Sequence, residues 1–271
     1  MVGYFLRAFA AASLLLVASP LLAAPARVVS LNLCADQLLV ALADPGQIAG
    51  LGRFSRDASI SAVAQQAKAF PRLGGSAEAV LLRNPDLVLA GPYDRPVVSG
   101  ALARQGAPVR IVELWRGFAS GEADILGLAQ TLGHPERGVA LVHALEEARG
   151  RIAGLGHGRS ALAIGRGDYV DGPASITGAL IEAAGLRNLA ATTPAGRFLP
   201  LEELLTLQPD ILMLAEGDDL ASDRGAALLR HPAMRGWMKG RRVVRLPPRL
   251  TACPGPALVE ALDRLGRALQ D

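Results

Sequence analysis

The chain has 271 residues, 51% of them hydrophobic, which is enough for one large domain or for two lobes with a substantial core. Its formal net charge of +3 is too small to indicate a nucleic-acid partner. The sequence also lacks a long run of Lys and Arg and an aromatic platform, so nucleic-acid binding is not expected.

The N-terminal residues 1–26 have the layout of a secretory signal peptide. Arg7 is their only charged residue, and the apolar run 8–17 follows it. A proline interrupts the apolar stretch before it is long enough to span a membrane. Small residues at Ala24 and Ala26 offer two cleavage points, and the sequence does not choose between them. We therefore predict export to the periplasm with removal of the signal.

After the signal, short apolar runs alternate with helical runs, which is typical of an α/β fold with a mainly parallel sheet. The strands predicted in this first half are 27–31, 48–51, 86–90 and 109–114. The predicted helices are 36–43, 77–82, 97–105 and 120–132.

The middle of the chain carries the longest uninterrupted helical pattern, over 135–155. Gly133 ends the preceding helix, and Pro135 is suited to the first turn of the next one. Apolar residues then recur at spacings of three and four until a glycine-rich stretch closes the pattern.

The alternation of strands and helices resumes after this long helix. The predicted strands are 160–164, 211–214 and 243–246, and the predicted helices are 175–184, 201–207, one beginning at 226–229, and 256–269. The prediction is an α/β protein of two lobes, 27–134 and 156–271, joined by the helix 135–155, with a ligand cleft between the lobes.

A sequence pattern that occurs twice in the chain, here called the Pro-Asp echo, supports two similar lobes. In both 78–88 and 202–212, a Glu lies seven residues before a Pro-Asp pair that starts an apolar strand. Proline ends the helix and favours the extended chain that follows.

Together these features resemble the class III periplasmic binding proteins, which serve ABC importers of cobalamin, ferric siderophores and haem. The matching segments are 27–32, the two Glu…Pro-Asp blocks, the central helix, 183–189 and 243–265. The resemblance implies two lobes bridged by one rigid helix, and a monomer that delivers its ligand to a dimeric inner-membrane permease. It also implies that Glu78 and Glu202 dock into basic sites on that permease. A compatible alternative is that both carboxylates stabilise helix N-termini.

Ligands of open α/β sheets sit beyond the carboxyl ends of the strands, and this rule selects the loops to consider. The candidate ligand contacts are Asn32, Cys34, Phe54, Arg56, Tyr93 and Trp115 in the first lobe, and Arg166, Tyr169, Arg249 and Cys253 in the second. Their aromatic rings suit a macrocycle, and their arginines suit siderophore carboxylates or haem propionates. The segment 72–75 lacks the tryptophan found at this place in cobalamin binders, which argues against a specific cobalamin assignment.

The two cysteines, Cys34 and Cys253, are predicted in cleft-side turns, one in each lobe. Three alternatives stay open: a disulfide that joins the lobes and restricts opening, free thiols that bind or sense a soft metal, and small buried residues near helix starts. A disulfide requires Cα atoms within about 7 Å, which the sequence does not establish.

The predicted function is therefore the periplasmic substrate-binding component of an ABC importer for an iron chelate (siderophore or haem) or cobalamin. None of the four histidines falls in a selected loop, so neither a free metal ion as ligand nor a resident metal or cofactor is expected. An exported sensor or scaffold with the same fold is the alternative. An exported hydrolase is a weaker one, because the sequence has no G-x-S-x-G, H-E-x-x-H or Walker motif.

Overall fold

The computed structural model describes residues 24–270 except 95, 166, 168, 194, 216–228 and 230. Most of the predicted signal segment and the helix start predicted at 226–229 thus lie outside the described residues. A four-stranded, wholly parallel sheet forms the first lobe, in the order β2-β1-β3-β4. Its strands are β1 (Val28–Ser30), β2 (Ile48–Gly50), β3 (Leu87–Ala90) and β4 (Val109–Ile111).

The helices of this lobe begin and end at residues with recognisable capping chemistry. The Asn32 side chain accepts hydrogen bonds from the first backbone N–H groups of α1, and Ser76 caps α2 in the same way. Gly133 adopts a left-handed conformation at the end of α4. The helices are α1 (Leu33–Leu42), α2 (Ala77–Leu81), α3 (Pro96–Arg104) and α4 (Phe118–Leu132).

The predicted connecting helix is α5 (Pro135–Ile152), three residues shorter than expected. It ends because Gly154 takes a positive φ of 77°. Leu145 is buried in the core of the first lobe, whereas Ala148 and Ile152 are buried in a core of the second. One helix therefore contributes side chains to both lobes.

The second lobe contains a mixed sheet in the order β10-β9-β5-β6-β8, with β7 also paired to β5. Strands β7, β9 and β10 are parallel to the central β5. Strand β6 pairs antiparallel with the carboxyl end of β5, and β8 pairs antiparallel with β6. The sequence analysis missed β6, β7 and β8, which have two or three residues each and no clear alternation. The strands are β5 (Ser160–Ile164), β6 (Tyr169–Asp171), β7 (Arg187–Asn188), β8 (Gly196–Phe198), β9 (Ile211–Leu214) and β10 (Arg242–Arg245).

The helices of the second lobe pack on this sheet. Three of the five helices in the described residues of this lobe match predicted helices, whereas α8 and α9 were not predicted. They are α6 (Ile176–Ala183), α7 (Leu201–Thr206), α8 (Pro232–Met238), α9 (Pro248–Thr251) and α10 (Ala257–Gln270). The α/β fold with two mainly parallel sheets and a long helix between them is thus confirmed.

The Pro-Asp echo has the same structural role in both lobes. The Asp86 carboxylate accepts hydrogen bonds from the backbone N–H groups of Ala26 and Arg27, at 2.7 and 2.9 Å, just before β1. The Asp210 carboxylate accepts from the backbone N–H and the hydroxyl of Ser160, at 2.7 and 2.6 Å, where β5 begins. Each aspartate therefore sets the register between the first strand of its lobe and the neighbouring strand.

Two glycines of α5 test how closely this helix packs. A Cβ at Gly138 would lie 2.6 Å from the Cβ of Ala129 on α4, whereas a Cβ at Gly150 would meet nothing within 4 Å. We expect Gly138→Ala to lower the free energy of unfolding by about 1–3 kcal/mol, because two helix backbones must separate. Gly150→Ala is the matched control and should raise it by about 0.5–1 kcal/mol through helix propensity. Urea denaturation measures both; equal effects of the two substitutions would contradict the close packing.

Candidate functional site

The two cysteines lie at the carboxyl ends of the strands of both lobes. Asn32 follows β1 and caps α1, so Cys34 lies in the first turn of α1 rather than in the predicted turn. Cys253 follows β10 and α9, and it is buried. The two residues form a disulfide with their Cα atoms 5.0 Å apart, so that neither is a free thiol.

The aromatic candidates of the first lobe differ in exposure. The Tyr93 side chain is 82% exposed in the loop after β3, and Phe54 is 45% exposed after β2, with the Arg53 guanidinium 4.5 Å from its ring centroid. Trp115 instead packs edge-on against Phe118, with ring centroids 5.1 Å apart. Its buried indole N–H has no acceptor in the described part of the chain. Tyr93 and Phe54 therefore offer open aromatic faces, and Trp115 supports the loop after β4.

The second lobe places an aromatic pair at the corresponding edge of its sheet. Tyr169 and Phe198 lie opposite each other on β6 and β8, with ring centroids 5.2 Å apart. The Tyr169 hydroxyl donates to the carbonyl of Ala195, whereas Phe198 is 70% exposed. Phe198 was not among the predicted contacts, because the analysis assigned no strand between 190 and 200. The sequence signal for a strand here was the short run 197–199, which contains Phe198 and is bounded by Gly196 and Pro200.

The predicted arginines have partners within the protein or fall outside the described residues. The Arg56 guanidinium donates to the backbone carbonyls of Ala67 and Phe70, and so holds the loop after β2. Arg249 lies 3.5 Å from the Glu260 carboxylate. Arg166 lies outside the described residues. Arg56 and Arg249 thus have structural partners that the sequence did not reveal.

A buried carboxyl group lies beneath the strand ends of the first lobe. Asp36, on α1, accepts a hydrogen bond from the Gly52 N–H at 2.8 Å, and its other oxygen has no partner in the described structure. Burial raises the pKa of Asp36 to about 7; hydrogen bonds from Gly52 and Ser30 oppose this rise, and nearby Asp94 adds to it. Gly52 and Asp94 line a small pocket directly above.

Each predicted docking glutamate is exposed in the first turn of a short helix. Glu78 is on α2 and Glu202 is on α7, and neither forms an ion pair with a described residue. The adjacent Glu203 pairs with Arg197, whose hydrogen bond lowers the pKa of the Glu203 carboxyl. Both positions fit a docking role and equally fit helix N-terminal stabilisation.

The described residues lack two features that would indicate other kinds of site or location. They contain no group of three or more His, Cys, Asp or Glu side chains arranged to hold a metal ion. None of the helices in the described ranges is both long and apolar enough to cross a membrane.

Comparison with known families decides the identity of the fold. The family model of a periplasmic binding protein matches residues 28–250, which is most of the chain. The chain belongs to this family. The match confirms the resemblance inferred from the Glu…Pro-Asp blocks and the central helix. No curated protein sequence matches the chain.

Solved structures of several binding proteins share the fold. A periplasmic heme-binding protein from Pseudomonas aeruginosa is 24% identical, over 90% of this chain and 92% of that one, with a TM-score of 0.73. An ABC-type Fe3+-hydroxamate transport system from Saccharomonospora viridis is 21% identical over 92% and 94%, with a TM-score of 0.71. A periplasmic vitamin B12 binding protein of Vibrio cholerae is 17% identical over 91% and 97%, with a TM-score of 0.67. At these identities the likeness shows the fold alone.

The pKa of Asp36 predicts a specific pH dependence. Its pKa is about 7 in the folded protein and near 3.8 in the unfolded chain, so between these values the folded form binds more protons. The contribution of Asp36 to stability therefore falls as pH rises from about 4 to 7, by at most about 1.4 kcal/mol per pH unit, and is constant above that.

Asp36→Asn cannot ionise and keeps an oxygen for the Gly52 N–H. We expect the free energy of unfolding of this variant, relative to wild type, to rise between pH 5 and pH 7.5 in urea titrations. Parallel pH profiles for the two proteins would show that Asp36 ionises normally.

Proposed function

We propose that the protein is the solute-binding component of an ABC importer for an iron chelate (haem or a ferric siderophore) or for cobalamin. It captures this ligand in the periplasm and delivers it, without turnover, to a dimeric permease in the inner membrane. In this proposal residues 1–26 are a cleaved signal, 27–134 and 156–271 are the lobes, 135–155 joins them, and the protein acts as a monomer.

The observation that carries this proposal is the set of exposed aromatic rings beyond the strand ends. Tyr93 and Phe54 belong to the first lobe and Phe198 to the second, and each exposes 45% or more of its surface. Covering an exposed ring releases about 25 cal/mol per Å² of apolar area, so a flat ligand between the lobes would gain from both sides.

The chemistry of the same region favours a chelate over a free ion. The described residues hold no cluster of metal-binding side chains, whereas they offer flat rings and the Arg53 guanidinium group near the strand ends. Arg53 lies over the Phe54 ring, where it can reach a ligand carboxylate next to an apolar face. Haem, whose flat ring carries propionate groups, combines these two features.

Transport requires that the loaded protein dock on its permease. Glu78 and Glu202 occupy equivalent places in the two internal repeats, each before the Pro-Asp pair of its lobe. Because both carboxylates are exposed and have no partner among the described residues, they are open to two arginine sites related by the symmetry of a permease dimer. A sensor or scaffold with this fold would need no such symmetric pair.

The ligand class is tested by titrating the mature protein with haemin, cobalamin and a panel of ferric siderophores. The signal is the intrinsic fluorescence of Trp115 in the loop after β4. The variant Trp237→Phe removes the second signal, from the buried tryptophan whose indole N–H donates to the Leu207 carbonyl. We expect saturable, sub-micromolar quenching by one of these chelates. No binding to any of them, confirmed by calorimetry, would contradict the proposed ligand class.

The aromatic surface is tested with the chelate that binds. We expect Tyr93→Ala to weaken its affinity about tenfold or more, because the ring would be lost from the centre of the contact. Tyr93→Phe keeps the ring and removes only the hydroxyl, so it shows how much each of them contributes to the affinity. Leu82→Ala is the control, since Leu82 is 81% exposed outside the candidate site. Equal affinities for wild type and Tyr93→Ala would remove Tyr93 from the site.

The docking role is tested by charge reversal. The double variant Glu78→Lys with Glu202→Lys should bind the chelate with unchanged affinity but lose permease-dependent uptake into proteoliposomes, because two cations would face basic pockets. The matched control reverses the exposed Glu146 and Glu182 and should transport normally. Uptake by the docking variant at the control rate would leave only the helix N-terminal role.

A further inference from the structure

The Cys34–Cys253 disulfide connects the two lobes at a place far from α5 in the sequence. Cys34 begins α1 beside the first sheet, and Cys253 follows β10 of the second sheet, 219 residues later. Both lie where the strands of their sheets end. The bond therefore ties together the edges of the two lobes from which the candidate ligand loops emerge.

The chain just after Cys253 also packs against the first lobe. Leu258 is fully buried in the first-lobe core that contains Leu38 and Leu39 of α1. Gly255 approaches so closely that a Cβ there would lie 3.4 Å from the Leu38 side chain. The segment 253–258 is thus a piece of the second lobe that is anchored, covalently and by burial, in the first.

A further connection between the lobes is α5, which packs against α10. Arg151 of α5 forms an ion pair with Asp263 of α10, at 2.9 Å, and Ile152 packs in the same core as Leu262. Helices α5 and α10 therefore lie side by side, and the disulfide holds the chain just before α10 begins.

We propose that the Cys34–Cys253 disulfide is a second hinge point between the lobes, which limits how far the cleft opens. With α5 as the only covalent connection in the described residues, the lobes would be free to separate wherever their packed contacts open. A second fixed point leaves rotation about the line between α5 and the disulfide as the easy motion. This hinge is a property of the ligand-free fold and does not depend on which chelate is bound.

The different exposure of the two cysteines indicates which sulfur a reducing thiol would attack. Cys34 is partly exposed and Cys253 is 1% exposed, so an external thiolate attacks the Cys34 sulfur. That step forms a mixed disulfide at Cys34 and releases the Cys253 thiolate into a buried site. Because burial disfavours a thiolate, this leaving group is poor and the hinge is expected to resist exchange.

The sequence provides a direct probe of lobe separation. Its only two lysines are Lys68, between β2 and α2 of the first lobe, and Lys239, after α8 of the second, and both are exposed. Amine-reactive spin labels on these lysines report the distance between the lobes by double electron–electron resonance without touching the cysteines. Lys68→Arg and Lys239→Arg identify the signal from the labelled N-terminal amine.

The test compares ligand-free wild type with the variant Cys34→Ala, Cys253→Ala. We expect one narrow distance distribution for wild type and a broader distribution, shifted to longer distances, for the variant. An unchanged distribution in a variant whose circular dichroism is native would overturn the hinge, even if its Tm is lower, because a purely stabilising disulfide moves only the Tm.

Should the variant not fold, the same comparison uses wild type before and after reduction in sucrose, which favours the compact state. No ligand is added, so this result stands apart from the ligand titrations: a failed hinge leaves the proposed transport function intact, and the reverse also holds.

Discussion

Helix α5 buries Leu145 in the core of the first lobe and Ile152, two turns later, in a core of the second. Both lobes therefore close their cores on the same rigid rod, and neither turns freely without moving buried side chains. The α5 helix packs on α4 of one lobe and on α10 of the other, with Gly138 permitting close approach to Ala129. Large changes in the angle between the lobes would have to open one of these packed contacts.

A restricted hinge changes what the binding surface must do. A binding protein that closes widely can assemble its site on the ligand, whereas one held by α5 and a disulfide has to present most of its site in advance. The exposed rings of Tyr93 and Phe198 fit this requirement, since they face solvent on short, well-anchored elements at the strand ends. The cost of their exposure is borne by the free protein and recovered when a ligand covers them.

The sequence predicted the alternation of strands and helices well, because apolar runs and helix-ending residues such as Gly133 act locally. It missed the ribbon of β6 and β8, because β6 is held by pairing with β5, and β8 by pairing with β6, rather than by a pattern of their own. For the same reason it offered Arg56 and Arg249 as ligand contacts without showing their partners, which lie on other segments. The pairing of Cys34 with Cys253 likewise depends on a distance across 219 residues that no local pattern encodes.

The buried Asp36 connects the fold to the site. Its carboxyl group fixes the Gly52 N–H, and thereby the loop after β2 that carries Arg53 and Phe54. A Cβ at Gly52 would lie 3.0 Å from the free Asp36 oxygen, so the loop passes directly over this group. Burial raises the pKa of Asp36 to about 7, so its carboxyl group gains or loses a proton near neutral pH directly beneath this loop. Because this carboxyl group holds the Gly52 N–H, its protonation couples the support of the loop after β2 to the pH of the surroundings.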